Sequence, residues 1–149
     1  MMAGDLYLED IQIGRRFAAG PVAVSAADIK SFAAAFDPQP FHLDEAAAKT
    51  TLFKGLVASG WHTAALTMRV LAEGGLPLAT GVIGAGGEIA WPRPVRPGDE
   101  LRVESEVLAI APSRSKPGQA VVTVRSTTTN QNGEAVQVLT AKLFVFARP

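Results

Sequence analysis

Beyond Gly74-Gly75-Leu76-Pro77 the hydrophobic period of this chain changes from helical to alternating, and it does not change back. Glycine accepts the left-handed conformation that follows a helix and proline cannot continue one, so the junction is a firm helix stop. Upstream, Ile29, Phe32, Ala33 and Phe36 recur at the spacing of one helical face, which predicts an apolar stripe on the core. Ala65, Leu66, Met68, Val70, Leu71 and Ala72 give a longer segment apolar density on more than one side. Downstream, Leu101, Val103, Ser105 and Val107 alternate with Arg102, Glu104 and Glu106, the period of a strand with one buried face. Helices and strands do not alternate throughout, as a doubly wound parallel sheet requires. The pattern predicts one α+β domain over residues 1–149, an antiparallel β-sheet wrapped around a long central α-helix, with no internal repeat.

A first strand is expected over Phe17–Val24. Ser25 then precedes a helix over Ala26–Phe36, with Asp28 in the position of a capping-box acid. Asp37-Pro38 ends it, because proline keeps the preceding residue out of helical geometry. Asp44–Lys49 forms a further turn or two, and the long helix runs from Ser59 to about Glu73, nearly engulfed. Gly81–Trp91 reads as a strand whose Gly84, Gly86 and Gly87 lie beneath that helix. Strands over Ala120–Thr129 and Ala135–Ala147 are joined at Gln131-Asn132-Gly133-Glu134, where Asn-Gly is a strong hairpin signal.

With 149 residues and 48% apolar content the chain can bury a core without disulfides or a structural metal. A domain of this size removes roughly 68–70% of its unfolded surface from water. No cysteine is present, which excludes thiolate chemistry. Fourteen basic and fourteen acidic side chains cancel, so no polycationic face awaits phosphates and nucleic acid is not an expected partner. Asp5, Glu9 and Asp10 precede any apolar run, the reverse of a secretory leader. Apolar stretches stop well short of the roughly 18 residues of a membrane span. The expected location is the cytoplasm, with no membrane partner.

Two prolines stiffen Asp37-Pro38-Gln39-Pro40-Phe41-His42, a segment holding a carboxylate and an imidazole five positions apart. Phe36 to His42 resembles the active-site signature of the MaoC-like dehydratases, the family of R-specific 2-enoyl-CoA hydratases with the hotdog fold. The match is an aspartate, two residues, a proline, one residue and a histidine. The resemblance implies that Asp37 and His42 activate a water for addition to a 2-enoyl thioester. It also implies that Gly60, in Val57-Ala58-Ser59-Gly60-Trp61, turns its amide toward the thioester oxygen. The chain departs from the family pattern at Phe36, where glycine is frequent, at Gln39, where asparagine is usual, and at Ser59, where histidine is common.

Hydration of an enoyl thioester needs a base for the water that adds at C3, an acid for C2 and donors for charge on the carbonyl oxygen. Histidine titrates near neutrality, and an aspartate against a partly dry wall can serve as base. Ser59 as N-cap leaves the first amides of the following helix, from Gly60 on, without intrahelical acceptors, and a glycine lets a thioester approach closely. Asp37, His42 and Gly60 are the expected catalytic residues, with Gln39, Phe41, Ser59 and Trp61 as substrate contacts. Phe53 and Trp91 are candidates for an acyl pocket or for ordinary core and interface, and Arg93 and Arg96 for a coenzyme A phosphate or for solvated positions. His62 is expected to flank the pocket. His42, His62 and Asp37 match no metal-ligand spacing, so no metal is expected, nor any cofactor beyond the coenzyme A of the substrate. Rival readings are a thioesterase of the same fold and a non-catalytic acyl-CoA-binding protein. Open sheet edges predict a homodimer or a dimer of dimers.

Overall fold

The structure is a computed structural model that describes residues 4–149. Among these residues four α-helices, α1 (Ala26–Phe36), α2 (Pro40–Leu43), α3 (Glu45–Ala48) and α4 (Gly60–Val70), accompany five strands. The strands are β1 (Arg16–Ala23), β2 (Ile83–Ala90), β3 (Glu100–Pro112), β4 (Gln119–Thr129) and β5 (Ala135–Phe146). All pair antiparallel in one sheet of order β1-β3-β4-β5-β2, and α4 lies against its inner face, as the sequence pattern predicts.

Local signals set most element limits. Ser25 Oγ accepts the Asp28 amide at 3.0 Å, and α1 covers the expected residues to the last. The hairpin turns at Asn130–Gly133, with Gly133 at φ 74° and the Asn130 Oδ1 accepting the amides of Asn132 and Glu134. On β3, Leu101, Val103, Ser105 and Val107 are buried while Arg102 and Glu104 face solvent. Pro40 begins a helical turn, so His42 stands on α2 and not in an extended loop. A proline is favourable at that first position because its missing N–H has no acceptor to lose.

Three expectations are corrected. Phe36 is 74% exposed, because the last turn of α1 brings it against Phe32 of its own helix (ring centroids 5.1 Å apart) and not onto the core. Helix α4 is not engulfed: its buried face is His62, Thr63 and Thr67, while Trp61, Ala65, Met68 and Arg69 are exposed, since one sheet covers only one side of a helix. It also ends at Val70, continued by a wider turn, Leu71–Gly75, in which Gly74 has φ 120°. Third, β2 is an exposed edge strand, so only Gly84 of its glycines borders the space under α4, whereas at Gly87 a side chain would meet Thr140 of β5.

The apolar core is divided. One cluster joins Leu71, Leu76, Val103, Val107, Val122 and Leu143, and another joins Val24, Ile29, Leu56, Val95, Leu101 and Val136. Buried hydroxyls and an amide occur on the same inner face: Ser105 faces Ser126 at 2.7 Å, and Thr67, Thr128 and Gln137 form a second bonded group. Residue Val136 is an extra residue in β5, between the pairs Thr129↔Ala135 and Thr128↔Gln137, which is why two successive side chains there are both buried.

Candidate active site

Asp37 leaves α1 as its C-cap and His42 rises from α2, so the proline-stiffened segment between them folds their side chains together. His42 Nε2 lies 3.2 Å from Asp37 Oδ2. Its Nδ1 lies 2.6 Å from the Val57 carbonyl. A carbonyl only accepts, so Nδ1 is the donor there and the exchangeable proton of the ring is the one on Nε2, facing the carboxylate. Gln39 donates from Nε2 to Asp37 Oδ1 at 2.5 Å. Burial pushes the Asp37 carboxyl up, but hydrogen bonds from Ser59 and Gln39 and the neighbouring His42 outweigh it and hold the group below its ordinary range.

Ser59 is fully buried and caps α4 by accepting the Trp61 amide at 3.2 Å. Gly60 is the first residue of α4, and no hydrogen bond among the described residues uses its N–H. A cavity of about 350 Å³ brings His42 and Gly60 to one wall, together with Phe41, Phe53, Thr63, Trp91 and Arg93. Asp37 meets this space through His42.

Other expected contacts fall elsewhere. Gln39 reaches Asp37 from an exposed position, and Trp61 is 60% exposed, edge-on to Trp91 at 5.2 Å and outside the cavity. His62 turns away from the cavity and stacks on Phe32 with ring centroids 4.8 Å apart. Its Nδ1 is buried without a partner among the described residues, and burial pushes its pKa down. Arg93 pairs with Glu134 at 3.3 Å, and Arg96 donates to the Phe53 carbonyl at 2.8 Å, which braces the cavity wall. Among the described residues no cluster of His, Asp and Glu could hold a metal ion.

The space left by Gly60 is filled differently from the expectation of a close thioester approach. A Cβ there would come within 2.7 Å of the Trp91 ring, so the missing side chain admits the indole. Trp91 is the site residue whose role sequence reasoning underweighted. Its signal was its position after the glycine-rich strand, where the chain turns into Pro92.

The MaoC-like domain family matches residues 10–131. The chain belongs to the MaoC-like dehydratase family. It is 62% identical to a MaoC-like dehydratase of Rhodospirillum rubrum whose crystal structure superposes with a TM-score of 0.96, covering 97% of this chain and 99% of that one. It is 36% identical to the uncharacterised protein YdeM of Bacillus subtilis, over 96% of this chain and 99% of that protein. It is also 34% identical to the (R)-specific enoyl-CoA hydratase of Rhodospirillum rubrum, over 87% of each chain. The architecture is the hotdog fold of this MaoC-like family, a five-stranded antiparallel sheet with a central helix.

Proposed function

We propose that this MaoC-like protein hydrates a 2-enoyl-CoA to an R-3-hydroxyacyl-CoA, and dehydrates the product in the reverse direction. The observation that carries the reading is the Asp37–His42 contact of 3.2 Å at a cavity that also contains the first residue of α4. Three features support it: an ionised carboxylate, an imidazole whose Nδ1 is committed to Val57, and an unpaired amide at a helix start. The pair takes one proton from the water that adds at C3 and returns one to C2, so it ends as it began. Gly60 N–H and the positive end of α4 face the charge that builds on the thioester oxygen. The relative named (R)-specific enoyl-CoA hydratase supports the same substrate class. The working form is a cytoplasmic homodimer, or a dimer of dimers, that needs no cofactor.

Crotonyl-CoA is the first substrate to try, with loss of the conjugated thioester absorbance as readout and a thiol reagent reporting free coenzyme A. Hydration without thiol release is expected, and His42→Ala removes it. An absorbance trace no faster than that of folded His42→Ala overturns the reading, and thiol release in its place identifies a thioesterase.

A further inference from the structure

Polar side chains form one cross-strand row beneath α4. Thr128 of β4 pairs in register with Gln137 of β5, and Ala90 of β2 pairs with Val138, which brings Trp91 opposite Gln137. The Trp91 indole N–H donates to Gln137 Oε1 at 3.0 Å. Gln137 Nε2 donates to Thr67 Oγ1 of α4 at 3.1 Å, and the hydroxyls of Thr67 and Thr128 are 2.7 Å apart. Thr67, Thr128 and Gln137 are fully buried. A mutually bonded group in a dry interior resists separation, because each donor and acceptor pulled from its partner has no water to replace it.

The row stands between two spaces. Before it lies the 350 Å³ cavity with His42, Gly60 and Thr63 on its wall. Behind it lies an apolar cavity of about 150 Å³ bordered by Met68, Leu71, Ser126, Leu139 and Leu143. Helix and sheet give the same order. Thr63, Thr67 and Leu71 follow one another along the buried side of α4 and its continuation, touching the first cavity, the row and the second cavity in turn. In the sheet, Ser126↔Leu139 is the next pair on the same face after Thr128↔Gln137, and both its residues border the second cavity.

We infer that the Trp91–Gln137–Thr67–Thr128 row is the end wall of the acyl site and sets its specificity for short acyl chains. An alkyl tail long enough to cross it would separate the bonded hydroxyls and amide and leave them against methylene groups. The apolar cavity behind is the space that a breached wall would open. The inference rests on the acyl-CoA hydratase reading above.

Calorimetric titration of the full chain with butyryl-CoA and octanoyl-CoA, saturated thioesters that cannot be hydrated, tests the wall without requiring turnover. Wild type is expected to bind butyryl-CoA about tenfold or more tightly than octanoyl-CoA. Gln137→Ala and Thr67→Ala, each checked for a cooperative melt, are expected to bring the two affinities together. Equal affinities in wild type overturn the inference, as does an undiminished preference in either folded variant. Crotonyl-CoA and 2-octenoyl-CoA turnover is measured on the same samples. A binding preference without turnover defeats the hydratase reading and leaves the wall standing, whereas binding of neither thioester defeats both.

Discussion

Asp37 carries a carboxyl held below its ordinary value near 3.8 by partners that burial alone would not supply. A depressed carboxyl contributes stability that is present above its unfolded pKa and lost as pH falls through the lower folded value, so it stays ionised throughout the neutral range. Replacing Asp37 with Asn keeps the shape and removes the charge opposite His42. The expected result is a fall of about 10²–10⁴ in kcat on crotonyl-CoA at pH 7 with a retained cooperative melt, and an unchanged kcat would remove Asp37 from the chemistry. His62 is depressed for another reason, burial, against the opposing charge of Asp28. Its folded pKa lies below the unfolded value of 6.5, so the unfolded chain binds the proton first, and stability falls as pH drops from that value through the folded one. His62→Phe, which keeps a ring against Phe32, is expected to flatten the urea midpoint between pH 7.5 and pH 5 relative to wild type. The Asp37–His42 pair was legible in sequence because both residues sit in one short stiff segment. The direction of His62 was not, since the sequence of α4 carries no mark of whether its first-turn histidine faces the cavity or the Phe32 ring of α1.

Caps and stops are written in neighbouring residues, which is why α1 and the start of α4 were legible, whereas the buried face of α4 was not. Its apolar residues suggested a helix covered on more than one side, and the buried face is His62, Thr63 and Thr67. The sheet offers Thr67 hydroxyls and an amide, and its hydrogen bonds to Thr128 and Gln137 satisfy a buried polar position of the helix that hydrophobic periodicity overlooks. Two serine caps separate helix stability from chemistry. Ser25→Ala removes only the acceptor for Asp28 and is expected to cost about 0.5–2 kcal/mol of unfolding free energy with kcat unchanged. Ser59→Ala removes a cap of the same kind and also a hydroxyl that helps hold the Asp37 carboxyl low, so a similar loss of stability is expected together with a lower kcat. If the two variants affect kcat equally, Ser59 acts only as a cap. The contact at the helix start gives a second test. Gly60→Ala drives a Cβ to 2.7 Å from Trp91 and is expected to destabilise by about 1–3 kcal/mol, with Trp91→Ala recovering part of the loss in a double-mutant cycle.

Among the described residues the sheet ends in two unpaired edges, β1 and β2. β1 carries Arg16 and Pro21 and breaks register between Ala19 and Val22, features that discourage a further strand. β2 pairs with β5 on one side; it also breaks register, between Gly84 and Gly86, and carries Glu88, but it has neither lysine nor proline along Ile83–Ala90, so its outer side is the better template of the two. Exposed Ile83 lies on that strand, and exposed Met68 and Trp61 lie on the open side of α4. The same sheet edge and helix face therefore remain unsatisfied together, and a second copy related by a two-fold axis could cover both at once. The nearly engulfed helix expected from sequence is half bare in the single chain because one sheet covers only one of its sides: the apolar density around α4 was legible, but how much of it the chain's own sheet would cover was not. Sedimentation of the wild type is expected to give twice the 15.6 kDa chain mass. Ile83→Lys places a charge on the free edge and Met68→Glu places one on the helix face, and each is expected to shift the mass toward a single chain. If neither does so while the wild type is dimeric, the interface lies on another surface. If the wild type sediments as a monomer at every concentration, the bare side of α4 faces water.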